Sequence, residues 1–186
     1  VPLLERIRFL GIFSNNLDEF YSVRYSTILR SIQFKHLHQV YDNIIAGQSN
    51  EELIEEINKI VNEQRIVYDN LHNKLFKELE KHNIYVIDDK TIPEQYLEFI
   101  SEYFYKEFIH TVGVFILDDI KLVPTLRDGS FYLAIKMQLA EKVQYALLVV
   151  PTHLFPRFIV LPREDENTYV MYIEDIIRYH LKDIFK

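Results

Sequence analysis

Hydrophobic positions in the first half of the chain recur every three to four residues, the spacing of one face of an α-helix. The first apolar stripe follows Pro2 and ends near Phe13. A second helix is predicted to begin at the polar segment that follows, because Asn16 precedes Glu19 by three residues as a capping residue does. Its apolar stripe continues to about Ala46.

A third helix is predicted from Ser49, which precedes Glu52 by three residues and so forms a capping-box signature. Its apolar stripe runs to Leu79, and Asn83 is a suitable stop. Three helices that follow one another in antiparallel order predict a small bundle over residues 1–83.

Beyond Asn83 the pattern changes to short alternating runs typical of strands. Two helices interrupt them, at TIPEQ and at EDIIRYHLKDIF. The runs SFYLAIKMQL and KVQYALLVVP, joined by a short turn, predict a β-hairpin, and PRFIVLP, with a proline at each end, predicts an edge strand. The predicted fold class is therefore α+β: an N-terminal antiparallel helical bundle, residues 1–83, followed by an incomplete α+β domain with a mainly antiparallel sheet, residues 84–186.

Composition excludes several kinds of chemistry. The 186 residues contain no Cys, which rules out disulfides and thiolate metal sites, and four separate Gly residues, too few for a glycine-rich phosphate loop. A net charge of -7 argues against nucleic acid as a partner. No apolar run is long enough to cross a membrane, and no signal peptide is recognisable. The expected location is the cytoplasm, including a peripheral position at the inner face of the membrane.

Histidine and acidic residues give no catalytic or metal-binding pattern. The seven His residues include no HExxH, and His36 and His38 are spaced to point apart on a helix. Acidic neighbours such as Asp18–Glu19 and Asp118–Asp119 do not face one another on a helix, which favours helix-terminal or solvated charge. The 13 Tyr and 13 Phe residues are expected mainly in the core.

The segment RIRFLGIFSNNLDEFYSVRY is the strongest candidate for function. A side-chain amide such as that of Asn16 offers a donor and an acceptor side by side, which complement the edge of adenine. The same residue type is a common helix cap, so the residues by themselves leave capping and ligand contact both open.

The run ERIRFLGIFSNNLDEFYSVR closely resembles the N-terminal signature of bacterial polyphosphate kinases of the long-chain-synthesising type. The segments LRDGSFYLAIKM, YALLVVP, PRFIVLP and IEDIIRYHLKDIF resemble the next domain of those enzymes, the head domain, in the same order. The resemblance extends over nearly the whole chain and is weakest between about residues 35 and 80.

The resemblance implies an enzyme that reversibly transfers the γ-phosphate of ATP to polyphosphate through a phosphohistidine and with Mg²⁺. In that family the phosphorylated His and the Mg²⁺ site lie in further C-terminal domains, so we assign no catalytic role to His36, His110 or any other His. Asn16 resembles the position that contacts the nucleotide. Arg24 is a candidate for the phosphate path, although an Arg at this position often pairs with a carboxylate such as Asp18 or Glu19.

The resemblance also implies a role for each half of the chain. The helical half would contact ATP or ADP, and the head domain would contribute to a homo-oligomer. Without the C-terminal domains the chain is expected to be inactive. Because the segment before VPLLER is absent, the first helix of the N-terminal domain is expected to be missing and its apolar groove to be exposed. The alternative is a protein–protein interaction module that binds no ligand.

Overall fold

The computed structural model describes residues 1–38, 49–117, 125–139, 142–163 and 166–185, with the side chains of 35–38 and 139 excluded. The chain divides into two compact units, Val1–His82 and Asn83–Lys186. The first unit is helical, and the second contains the strands.

The first helical segment is continuous from Leu3 to His38. It consists of α1 (Leu3–Glu19), a π-helical segment (Phe20–Tyr25) and α2 (Ser26–His38). The residues at the two junctions, Glu19 and Ser26, keep right-handed helical dihedrals. The predicted break between Phe13 and Asn16 is therefore wrong, and the predicted extension of the second helix to Ala46 falls partly on residues 39–48, outside the described residues.

Contacts with the next helix explain why the polar tripeptide Ser14–Asn15–Asn16 stays helical. The Phe13 and Tyr68 rings stack with their centroids 5.7 Å apart, and the Ser14 hydroxyl donates a hydrogen bond to the Tyr68 oxygen at 3.1 Å. Ser and Asn disfavour a helix by less than about 1 kcal/mol each relative to Ala, so such packing is sufficient to outweigh their local preference.

Helix α3 spans Asn50–Glu80 and confirms the predicted capping box. The Ser49 hydroxyl accepts from the Glu52 amide, and the Glu52 carboxylate accepts from the Ser49 amide. The helix ends close to Asn83, which has a φ of 59°, a left-handed conformation that Asn tolerates.

Three contacts set α3 antiparallel to the first helical segment. The Asn50 amide donates to the Ser31 hydroxyl, the Tyr25 hydroxyl donates to Asn58, and the Arg6 guanidinium donates to Glu78. Residues later in the first segment thus contact residues earlier in α3, so the two helices run in opposite directions. In the described residues the helical region is a long antiparallel pair.

The second unit contains two three-stranded sheets, with strand orders β1–β6–β5 and β2–β4–β3. The β1–β6 pair is parallel and the other described pairs are antiparallel. The strands are β1 (Ile84–Ile87), β2 (Gly113–Ile116), β3 (Phe131–Leu139), β4 (Lys142–Val150), β5 (Phe158–Val160) and β6 (Thr168–Tyr172). The helices are α4 (Leu97–Tyr103), preceded by a 3-10 turn (Glu94–Tyr96) and followed by a π turn (Phe104–Phe108), then α5 (Ile173–Tyr179) and α6 (Leu181–Ile184).

The predicted hairpin and edge strand are both present. Strands β3 and β4 pair along their whole length, from Phe131 opposite Val150 to Leu139 opposite Lys142, although the turn residues 140–141 lie outside the described residues. Strand β5 pairs with β6 alone among the described strands, as a proline-bounded segment favours. The α+β class with a mainly antiparallel sheet is confirmed.

One apolar core joins both sheets to the helices of this unit. Ile100, Phe104 and Phe108 extend from the α4 region and are completely buried. They pack with side chains of β4, β6 and α5, among them Leu148, Met171 and Ile176. The helix predicted at TIPEQ is thus present, and Ile100, Phe104 and Phe108 form its inner face, whereas Leu97 is only partly buried.

Candidate functional site

Asn16 lies inside α1, three residues before its end, with an exposed side chain. Within the described part of the chain its amide has no hydrogen-bond partner. The predicted cap at Asn16 is therefore wrong, because the helix is continuous on both sides of this residue and the N-terminal end of α1 lies at Pro2. The donor and the acceptor of the amide both face solvent, in the arrangement that a ligand edge requires.

The surface around Asn16 is apolar although it faces solvent. Residues three, four and seven apart share a helix face, so Phe9 and Ile12 lie on the N-terminal side of Asn16 and Phe20 on the C-terminal side. Phe9 is 60% and Ile12 46% exposed, and Phe20 is half-buried. A polar amide is thus set within an exposed apolar strip.

Arg24 lies in the π-helical segment with its side chain exposed. In the described residues no ion pair joins it to Asp18 or Glu19, so the carboxylate pairing considered for it is wrong. Arg6, by contrast, pairs with Glu78 at 2.5 Å, and Arg8 approaches Glu5 at 4.0 Å.

An exposed groove of about 770 Å³ runs between α1 and α3, on the side that carries Phe9 and Phe13. Asn16 lies outside it. The α3 wall includes Tyr68, the first ring of a stacked row that continues through His72 and Phe76. The sequence pattern did not predict this row, because the helical spacing of its residues is also typical of core packing. The groove is lined by Val1, Arg6, Phe9, Leu10, Phe13, Glu63, Gln64, Val67, Tyr68, Leu71, Lys74 and Leu75.

The second unit contains two buried carboxylates that sequence reasoning missed. Glu174 and Asp175, each 5% exposed, occupy the first turn of α5. The Arg157 guanidinium donates two hydrogen bonds to Glu174 Oε1, at 3.0 and 2.6 Å, and lies 4.2 Å from the centroid of the Phe131 ring. Arg178 pairs with Asp175. The Arg157–Glu174 pair joins the segment before β5 to α5, and the Arg178–Asp175 pair lies within α5, so both pairs have a structural role.

The described histidines do not form a catalytic or metal-binding group. His180 is 3% exposed, stacks on Phe104 with a centroid distance of 4.1 Å, and its Nδ1 lies 2.9 Å from the Ile176 carbonyl oxygen. His110 is exposed, and the side chains of His36 and His38 lie outside the described residues. No group of three or more His, Asp or Glu residues in the described ranges is arranged to hold a metal ion. Nor does any described helix have the length and apolarity to span a membrane.

Two family models match nearly the whole chain. Residues 1–87 match the polyphosphate kinase N-terminal domain, and residues 95–186 match the polyphosphate kinase middle domain. A polyphosphate kinase of Vibrio cholerae is 34% identical, with 100% of this chain and 26% of the relative covered. The polyphosphate kinase of Escherichia coli K12 is 33% identical with the same coverage.

The fold is also similar to a solved structure. The crystal structure of a polyphosphate kinase from Porphyromonas gingivalis matches 100% of this chain with a TM-score of 0.81 and 30% sequence identity, while 27% of that structure is covered. The chain thus spans about a quarter of the length of the relatives that it matches.

Proposed function

The chain belongs to the polyphosphate kinase family and contains the N-terminal and middle domains of that family. From that premise we propose that its helical unit contacts the adenine ring of ATP through Asn16. The observation that carries the proposal is the exposed amide of Asn16, which has no partner among the described residues and lies within the apolar strip of Phe9, Ile12 and Phe20. Adenine combines a hydrogen-bonding edge with apolar faces, so this surface complements it in both respects.

The chemistry of the contact follows from the two sides of the amide. Asn16 Oδ1 would accept from the N6 amino group of adenine, and Nδ2 would donate to the neighbouring ring nitrogen. A bidentate Asn–adenine pair of this type discriminates between bases by about 1–3 kcal/mol. The exposed Phe9 and Ile12 side chains would exclude water from one side of the pair, which strengthens its hydrogen bonds.

The reaction itself is proposed for the full-length protein. There the γ-phosphate of ATP would pass reversibly to polyphosphate through a phosphohistidine, with Mg²⁺ neutralising phosphate charge. The described residues do not fit a Mg²⁺ site, because they contain no cluster of suitable side chains. In line with the family resemblance, we propose that the metal and the phosphorylated His belong to other parts of the kinase, and we expect this chain alone to be inactive.

Replacement of Asn16 by Ala in the full-length kinase tests the adenine contact. We expect ATP affinity to fall on the order of tenfold, since one or two hydrogen bonds are lost, while the melting temperature stays close to that of the wild type. Isothermal titration calorimetry and thermal unfolding measure the two quantities. Asn15→Ala is a matched control, because Asn15 is also exposed but lies about 100° round the helix. Unchanged ATP affinity, or a loss of stability alone, would refute the contact.

A protein–protein interaction module without a ligand is the second candidate, and the exposed groove between α1 and α3 is the observation that favours it. Hydrogen–deuterium exchange of the full-length protein with and without ATP separates the two. Protection by ATP in residues 13–20 supports nucleotide contact, whereas an unaltered exchange pattern in that segment supports the module.

We also propose that the middle domain contributes to a homo-oligomer through the outer face of the β2–β4–β3 sheet. Alternate residues of β4 face opposite sides, and Ala146, Leu148 and Val150 are buried in the core. The opposite face is apolar as well: Tyr145 is 51% exposed, and Phe115, which pairs with Leu147 of that face, is 43% exposed. Strands that are apolar on both faces are typical of sheets covered on both sides.

A charge placed on this face should disrupt the assembly. We expect Tyr145→Glu to shift the full-length kinase to a smaller species in light scattering coupled to size-exclusion chromatography. Leu154→Glu is the control, since Leu154 is 58% exposed but lies in the turn after β4. A wild-type protein that is monomeric, or a Tyr145→Glu variant with the mass of the wild type, would contradict the proposal.

A further inference from the structure

We infer that Arg24 binds the phosphates of the nucleotide whose base contacts Asn16. This inference rests on the proposed function of Asn16. The π-helical segment determines where Arg24 lies relative to Asn16, and its guanidinium, which has no partner among the described residues, is available to an anion.

The π-helical segment brings Arg24 onto the same face of the helix as Asn16. In a regular α-helix, residues eight apart are rotated by about 80° from one another. A π-helical turn closes its hydrogen bond five residues back, as the Ser26 amide does to the Tyr21 carbonyl, and so accommodates one additional residue. Arg24 therefore takes nearly the position that a residue seven after Asn16 has in a regular helix, two turns along the same face.

Side chains around the π-helical segment support this geometry. The Ser26 hydroxyl donates to the Ser22 carbonyl at 2.6 Å, and the Thr27 hydroxyl donates to the Val23 carbonyl at 2.6 Å. Tyr25 faces α3, where its hydroxyl donates to Asn58 at 3.1 Å. Because Tyr25 points toward α3, its neighbour Arg24 points away from that contact and is exposed.

The guanidinium of Arg24 differs from the neighbouring ones in its contacts. Arg6 and Arg8 each have a carboxylate partner, and Arg30 donates to the Ser26 hydroxyl at 3.5 Å. Arg24 has no such partner in the described residues. A guanidinium carries a permanent positive charge and a planar set of donors that matches phosphate oxygens.

The distance between the two residues fits a nucleoside triphosphate. Two helical turns separate Asn16 and Arg24 by about 11 Å along the axis. This separation is comparable to the distance from the adenine edge to the phosphates in an extended ATP molecule. Asn16 would read the base and Arg24 would bind the phosphate chain from the same helix face.

The test compares ligands that share the base but differ in phosphates. In the full-length kinase we expect Arg24→Ala to lower the affinity for ATP on the order of tenfold and to leave the affinity for adenosine unchanged. Arg24→Lys should retain part of the ATP affinity, because it keeps the charge and loses the planar fork. Arg30→Ala is the matched control, since Arg30 is exposed but lies about 120° round the helix from Arg24.

The outcomes separate this inference from the proposed function. If Asn16→Ala weakens both ATP and adenosine while Arg24→Ala weakens neither, the inference on Arg24 is wrong and the base contact stands. If Asn16→Ala changes neither affinity, the proposed adenine contact of Asn16 is itself refuted. Equal losses of ATP and adenosine affinity in Arg24→Ala would indicate a structural role, and a loss of polyphosphate affinity alone would assign Arg24 to the other substrate. Either result overturns the inference.

Discussion

Asp175 illustrates how burial changes the chemistry of a single residue. Desolvation raises the pKa of its carboxyl above the ordinary range, and the Arg178 guanidinium opposes that shift. The negative charges of Glu174 and Asp89 raise the pKa further. A position in the first turn of α5 favours a carboxylate, but burial outweighs this advantage.

The raised pKa gives Asp175 a defined effect on stability. The folded protein binds a proton at this site more tightly than the unfolded chain does, so the contribution to stability is fully present below the unfolded pKa of about 3.9. It is lost as the pH rises through the raised folded pKa.

We therefore expect wild-type protein to lose stability relative to Asp175→Asn as the pH rises above about 3.9 and through the raised folded pKa of Asp175. Urea unfolding at several pH values measures this difference. Asp128→Asn is the control, since Asp128 is exposed in the turn before β3. The quantity to follow is the unfolding free energy of the wild type minus that of Asp175→Asn. If it stays constant or increases as the pH rises, the pKa of Asp175 is not raised.

At the scale of elements, a capping signal predicts a helix start correctly where no tertiary contact opposes it. The capping box of Ser49 and Glu52 satisfies amide groups at the start of α3 with side chains that lie three residues apart, so the sequence contains all of its partners. The cap predicted at Asn16 had the same kind of local signal. Packing of Phe13 and Ser14 against Tyr68 competes with it, and the helix continues.

Ser49→Ala removes the side-chain half of the capping box. We expect it to lower the free energy of unfolding of the helical unit by about 1 kcal/mol, because the Glu52 amide loses its acceptor. Urea unfolding followed by far-UV circular dichroism, which reports helix content, measures the change. Ser22→Ala, a replacement on an exposed part of the first helical segment, should have a smaller effect. Equal effects of the two replacements would mean that the box adds nothing beyond helix propensity.

At the scale of the whole molecule, burial is distributed unequally between the two units. No residue of α1 or of the π-helical segment is fully buried, and α3 buries Asn50, Leu75 and Leu79. The second unit contains a core in which Phe104 and Phe108 are completely buried. Because apolar burial is the main source of stability, the helical unit is expected to open more readily.

Native-state hydrogen exchange measures this inequality. We expect the backbone amides of β4 and β6 to exchange at least about tenfold more slowly than those of α1, since opening of the second unit must expose its core. The comparison applies to the 186-residue chain by itself. Comparable protection of both units would contradict the expectation and would point to additional stabilisation of the helical pair.

The candidate site was predictable in part. The residue type and spacing of Asn16 left a helix cap and a ligand contact both open, and only the family resemblance favoured the contact, which stays a prediction. The exposed apolar strip of Phe9 and Ile12 was not predictable, because apolar residues at helical spacing usually face a core. The alignment of Arg24 with Asn16 depends on the extra residue of a π turn, for which the sequence offers no local signal.

By itself the sequence determined the α+β class, the change from helices to strands near Asn83, the start of α3 and the β3–β4 hairpin. These features depend on residues that are close along the chain, so periodicity and capping chemistry are sufficient to predict them. Only the tertiary structure decided that α1 continues through Asn16, that the segment containing Arg24 is π-helical and that Glu174 and Asp175 are buried. Each of these depends on packing between segments that are distant in sequence or on the accumulated rotation of a long helix, and neither is encoded in a short pattern.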